Sequence, residues 1–174
     1  MIKIVVLCGV ENSGKTNTMK RFFRFNGARW PRNRLLQRII DDKTVYAVGA
    51  NSPQELNRKY KEETDKFVEL IKARIQEVLN ICNKESGGKE YVLILPFTIY
   101  RHKKGKAICE ESIKEPIEYF RRSFKVKPLY LKRKDCSFPD EFMFSIIDSK
   151  NDVIKSGMNY EKQSRELEKQ VLGA

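Results

Sequence analysis

Near the start of the chain, the run Lys3 to Cys8 (KIVVLC) stops at a glycine, and a helix-forming stretch opens at Lys15. A continuous β-branched run with no polar alternation fits a strand covered on both faces, the setting of a parallel sheet. In the stretch that follows, Met19, Phe22 and Phe23 fall at i, i+3 and i+4 and give a helix its apolar face, while Lys20, Arg21 and Arg24 occupy the rest. Asn26-Gly27 then stops that helix. A buried strand feeding an amphipathic helix through a short glycine-bounded turn excludes an all-β or all-α chain and predicts repeated strand-helix units.

The remaining sequence keeps to that pattern. After the basic segment ARWPRNRLLQRIIDD, the alternating run KTVYAVGA reads as the second strand. Ser52, Pro53 and Glu55 then form a capping box with proline in the first helical position. Leu56, Tyr60, Phe67, Ile71, Ile75, Val78 and Cys82 recur at helical spacing up to Gly87-Gly88. One unbroken helix there would be roughly 45 Å long at 1.5 Å per residue, so it either projects or breaks near residues 62–65. YVLILPF from Tyr91 is a third strand, again continuous and hence central. Pro116 suits the first turn of a helix through Phe124, VKPLYLK and EFMFSIID read as two more strands, and Asn159 to Leu172 as a closing helix with a thin stripe of Tyr160, Leu167 and Val171. The predicted architecture is a three-layer α/β/α sandwich over residues 1–174, with a mostly parallel sheet of about five strands joined by right-handed crossovers. Ligands of such sheets bind at the carboxyl ends of the strands, where Gly9 and the loop after Phe97 would meet.

The turn between the first strand and helix carries the chemistry. Gly9-Val10-Glu11-Asn12-Ser13-Gly14-Lys15-Thr16 satisfies G-x-x-x-x-G-K-[ST] at every fixed position. Glycines let consecutive backbone N–H groups, those of Asn12 and Ser13 among them, face phosphate oxygens. The helix adds its positive end, Lys15 reaches the β- and γ-phosphates, and Thr16 offers a hydroxyl to Mg²⁺. The strand before the motif and the helix after it are the context it requires.

On these residues the first 25 or so positions resemble the P-loop NTPase superfamily. The resemblance implies binding of ATP or GTP with Mg²⁺ through Gly9, Gly14, Lys15 and Thr16, with Asn12 and Ser13 as cradle donors and Asn17 near the α-phosphate. It also implies an acid at the end of a neighbouring strand to hold Mg²⁺ or its water. YVLILPFT ends without a carboxylate, which leaves Asp41-Asp42, ahead of the second strand, as the substitute, with Asp42 the candidate catalytic acid. Against this stands a solvated acidic pair in a turn. Glu11, inside the loop, is a second candidate for orienting water or an acceptor hydroxyl, provided it reaches the substrate.

Kinases that resemble this layout bring extra positive charge from a mobile lid, and YRHKKGK after the third strand is suitably placed, with Arg101 as its catalytic candidate. Arg121 and Arg122 could approach from the later helix. His102, the single histidine, sits among lysines and reads as exposed. A GTPase reading fares less well: in LKRKD only Asp135 fits the guanine-reading N-K-x-D, and no D-x-x-G follows a central strand. A helicase or packaging motor would need a longer chain. The reading is therefore a small-molecule or nucleotide kinase, the alternative being an NTP-dependent regulatory or nucleic-acid-binding module.

Net charge favours polyanionic partners in either case: 35 basic against 23 acidic residues give +12 over 174 residues. Arg24, Arg29, Arg32, Arg34 and Arg38, interleaved with Trp30, are the most suggestive stretch, since arginine holds phosphates and an aromatic ring stacks bases. In kinases of similar layout the same region lines the acceptor site. Four scattered cysteines (Cys8, Cys82, Cys109 and Cys136) offer neither metal-ligand spacing nor a disulfide framework. The run Ile4 to Leu7 is too short for a membrane span or a signal peptide, so the expected setting is cytoplasmic.

Overall fold

The computed structural model describes residues 2–10, 13–27, 35–48, 64–84, 90–99, 111–132, 146–155 and 159–173. Six strands form one sheet. They are β1 (Ile2–Val10), β2 (Leu35–Ile40), β3 (Lys43–Val48), β4 (Glu90–Ile99), β5 (Lys125–Lys132) and β6 (Val153–Lys155), in the spatial order β2-β3-β4-β1-β5-β6. All neighbours are parallel except the β2–β3 hairpin at one edge. Four described helices cover the sheet: α1 (Lys15–Phe22), α2 (Thr64–Lys84), α3 (Glu111–Arg121) and α4 (Tyr160–Leu172).

Alternation along β1 separates two cores. Ile4, Val6 and Cys8 face Ile71, Ile75 and Val78 of α2 and Ile117 and Phe120 of α3. Val5 and Leu7 face Met19 and Phe22 of α1 and Leu167 and Val171 of α4. Each fully buried side chain of this kind contributes roughly 1.5–3 kcal/mol, so a strand apolar on both faces fits only between two helical layers. Met19 and Phe22 on the first helix, and Ile71, Ile75 and Val78, are buried as predicted, while Phe23, at the helix end, is half-buried against the same core as Met19 and Phe22. The stripe of α4 looks thin in sequence because Gln163 and Ser164, both polar, are also buried in it.

Several expectations need correction. β2 was concealed in the basic segment: Arg38 and the solvent-facing Ile39 disguise an edge strand, and Asp41-Asp42 form its two-residue turn, with Asp41 left-handed at φ 52°. The first helix ends at Phe22, with Phe23 as its cap, rather than at Asn26-Gly27, because Arg24 takes the left-handed position and its N–H bonds to the Arg21 carbonyl while that of Phe25 bonds to Lys20. Pro116 is interior to α3, which begins at Glu111, so it cannot offer an N–H to the carbonyl four residues back. That helix ends at Arg121, and a turn closed by the Phe124 N–H on the Phe120 carbonyl leads into β5. Of EFMFSIID, residues 141–145 lie outside the described residues and Ile146 to Asp148 form a turn, while the three-residue Val153–Lys155, too short to show periodicity, is a strand the sequence does not mark. The capping box at Ser52 and the first part of the predicted long helix lie outside the described residues.

Pro128 lies on β5 before β6 joins it at Tyr130, a place where a missing N–H is tolerated. At the other end of the sheet, Glu90 bridges Lys3 (2.7 Å) and Lys43 (3.0 Å), and Lys43 also donates to the Leu172 carbonyl at 2.7 Å. A lysine on the last carbonyls of a helix satisfies an orphan acceptor and opposes the helix dipole. It also pins the carboxyl end of α4 to the amino edge of the sheet, which leaves the start of α4 at the opposite edge.

Candidate functional site

β1 pairs with β4 through Gly9 opposite Thr98, so the glycine-rich turn leaves the sheet at its carboxyl edge, between β4 and β5. The chain departs β1 into α1 on one face, while α3, which follows β4, lies on the other. Strand ends whose continuations diverge in this way leave a crevice, the usual ligand position of open α/β sheets.

Within the turn, Ser13 and Lys15 are buried, and Lys15 is only 4% exposed. Its Nζ donates to the Gly9 carbonyl at 2.9 Å and to Ser13 Oγ at 3.3 Å. A buried ammonium is costly unless polar groups surround it, and here loop atoms supply them. Gly14 precedes α1 in the left-handed region (φ 90°), and no side chain caps that helix. The first-turn N–H groups of α1 therefore point past Gly14 into the crevice. A Cβ on Gly9 would come within 2.5 Å of Ser13 Oγ, so this glycine permits the loop to close on itself. Thr16, half-buried, stands in that first turn.

The closing helix completes the wall. Asn159 caps α4 by accepting from the Lys162 N–H at 3.1 Å, and a Cβ on Gly14 would sit 2.8 Å from the Tyr160 ring. One turn further, Thr18 Oγ1 donates to Gln163 Oε1 at 2.7 Å in a buried contact. The sequence marks Tyr160 only as part of the apolar stripe of the closing helix and does not mark Gln163, because no local pattern connects either to a loop some 145 positions earlier. Behind the loop, burial pushes the Cys8 thiol up to about 12, with the nearby Lys15 charge opposing that shift. Cys8 is thus a neutral, unreactive wall.

Gly9, Ser13, Gly14, Lys15, Thr16 and Asn17 are brought together at one strand-helix junction. Asp42 is not. It precedes the first residue of β3, which pairs with Glu90 at the start of β4, and so lies at the amino edge, across the sheet from the loop. Its exposure in a hairpin turn accords with a solvated pair rather than a metal-binding acid. Among the described residues β3, β4 and β5 end at Val48, Ile99 and Lys132, none of them a carboxylate. Among those residues, no cluster of three or more His, Cys, Asp or Glu side chains could hold a metal. Glu11, Asn12, Arg101, His102 and Asp135 lie outside the described residues. Of the arginine-rich stretch, Arg24 and Arg38 are described and line one groove beside α1.

Among the described residues, no helix is long and apolar enough to cross a membrane. Comparison with protein-family models and with curated proteins gives no match.

Proposed function

We propose that the chain binds a nucleoside triphosphate with Mg²⁺ in the Gly9 to Thr16 turn and transfers its terminal phosphoryl group to a small-molecule or nucleotide acceptor. One observation carries the reading: the Lys15 ammonium is buried at the mouth of a helix and held by the Gly9 carbonyl and Ser13 Oγ. Such a charge, beside outward-facing N–H groups, suits an anion that can replace both acceptors with phosphate oxygens.

The residues fit phosphate well and Mg²⁺ in part. Gly14 makes the left-handed turn (φ 90°) that leads the loop into the helix, and Lys15 is the cation for the β- and γ-phosphates. Thr16 offers its hydroxyl to Mg²⁺, whose other ligands are phosphate oxygens and water, in keeping with the reluctance of this ion to dehydrate. Phosphoryl transfer asks the protein chiefly to position and to neutralise charge, which a buried lysine at a helix N-terminus does.

The test is a thermal-shift titration with Mg·ATP and Mg·GTP, followed by acceptor screening for release of the diphosphate. Wild type should gain stability in proportion to the logarithm of ligand concentration. Lys15→Ala should keep its fold and lose that gain. An undiminished nucleotide-induced shift in the variant would sink the reading.

A further inference from the structure

Along the solvent side of α1 a groove leads away from the phosphate-binding turn, sharing Asn17 and Tyr160 with its border and continuing to residues that the turn does not touch. Asn17, Lys20 and Arg21 fall at i, i+3 and i+4 on the side of α1 away from Met19 and Phe22, and Arg24, just past the helix end, borders the same groove. Three adjoining cavities follow that side. One is bordered by Asn159 and Tyr160, the next by Asn17, Phe25 and Asn26, and the third, about 350 Å³, reaches Arg38 and Arg165. Arg21 lines all three. In the third, five cations face two carboxylates, Glu161 and Glu168.

Two features set this groove apart from an ordinary basic surface. Arg38 is held in place: one nitrogen donates to the Phe22 carbonyl and another to Glu168, each at 2.6 Å, and its guanidinium lies 4.9 Å from the centre of the Phe22 ring. A guanidinium carries five donors, so others remain for a ligand in a fixed orientation. Arg24 adopts a left-handed conformation (φ 53°) at a helix end where glycine would sit without strain. An arginine there is strained by its Cβ, a local conflict of the kind found at functional positions.

We propose that this groove binds single-stranded nucleic acid. Asn17 to Arg21 alone spans roughly 6 Å at 1.5 Å per residue, and the cations continue past the helix end to Arg24 and Arg38, a track for successive phosphates of an extended strand. Half-buried Phe25 and Tyr160 stand at different points along it. Aromatic faces beside a cationic track are what unpaired bases stack on, whereas a compact anion needs neither rings nor length, and a duplex hides its bases. The site lies outside the Gly9 to Thr16 turn and does not depend on the nucleotide reading.

Binding of a labelled single-stranded oligonucleotide of mixed sequence, followed by anisotropy at several salt concentrations, tests it. Three phosphates held would give a slope of log affinity against log salt near −2, at about −0.7 per phosphate. Arg21→Gln with Arg24→Gly removes two groove charges while relieving the left-handed strain, so the fold is retained. Affinity should fall roughly tenfold or more and the slope should flatten by about 1.4. Lys84→Gln with Arg122→Gln removes two exposed charges from the opposite helical layer and should change little. Lys15→Ala should bind the oligonucleotide as wild type does. An equal loss in the Lys84/Arg122 pair, no measurable binding by wild type, or full displacement by inorganic tripolyphosphate at matched charge would each overturn the proposal.

Discussion

Tyr160, the first residue of the last helix, packs so closely over Gly14 that a Cβ there would lie 2.8 Å from its ring. The glycine is thus constrained twice, by a left-handed φ of 90° and by the helix that covers it. Gly14→Ala should lower stability by about 2 kcal/mol or more, from backbone strain and the clash together. Adding Tyr160→Ala should relieve the clash and leave the backbone part. Denaturation midpoints of the two single variants and the double variant measure the coupling. Strict additivity would show that the ring and the loop do not share the constraint.

A second link between the same elements is the buried bond from Thr18 Oγ1 to Gln163 Oε1. Thr18→Val keeps the shape of the side chain and removes the donor. The expected cost is about 1–3 kcal/mol, because Gln163 loses that donor in a dry contact. Since α1 and α4 jointly frame the loop, the variant should also bind nucleotide more weakly. Calorimetry on the folded variant would show whether loop geometry depends on this contact.

Arg24 is expected to trade stability for binding. Arg24→Gly should raise the melting temperature, with a gain of about 1 kcal/mol, because glycine adopts the left-handed end of α1 without strain. The same substitution removes one cation from the groove. A variant both more stable and less able to hold an oligonucleotide separates the two roles. If it proved less stable than wild type, the strain assigned to this position would be wrong.

Glu90 sets a pH dependence. Hydrogen bonds from Lys3 and then Lys43 hold its carboxyl at about 2, well below the usual carboxylate range. A depressed folded value adds stability that is present above the unfolded value and is lost as pH falls toward the folded one. Wild type should therefore exceed Glu90→Gln in stability near neutral pH, and the difference should shrink between about pH 4.5 and 2. Urea denaturation of both proteins across that interval checks the sign. A gap that widened on acidification would contradict it.

Burial makes Cys8 a reporter of the sheet. Its neutral thiol, walled in beside Lys15, should resist alkylation at pH 8 until β1 separates from its neighbours. Mass spectrometry after labelling with and without denaturant would locate the modification. Rapid native labelling at Cys8 would show that β1 opens locally.

Features with a short-range physical cause were legible in the sequence itself. KIVVLC is apolar without alternation because both its faces are covered, and the glycines of GVENSGKT are needed within the turn they make. The closing helix was legible to within one residue, Asn159 being its cap rather than its first residue. Periodicity likewise marked Ile71, Ile75 and Val78 as core. Only tertiary structure decided where these pieces meet. Strand order is set by long-range pairing, and that pairing puts Asp42 at the far edge of the sheet from the loop it was expected to serve. The edge strand β2 has one sheet neighbour and solvent beside Ile39, so packing never imposed the pattern by which strands are read. Tyr160 over Gly14, and Arg38 beside Arg24, are joined by no local spacing. The first pair meets because α1 and α4 lie side by side on one face of the sheet, a consequence of burying Met19, Phe22, Leu167 and Val171 against β1, and the second because Arg38 reaches from β2 to the Phe22 carbonyl at the end of α1.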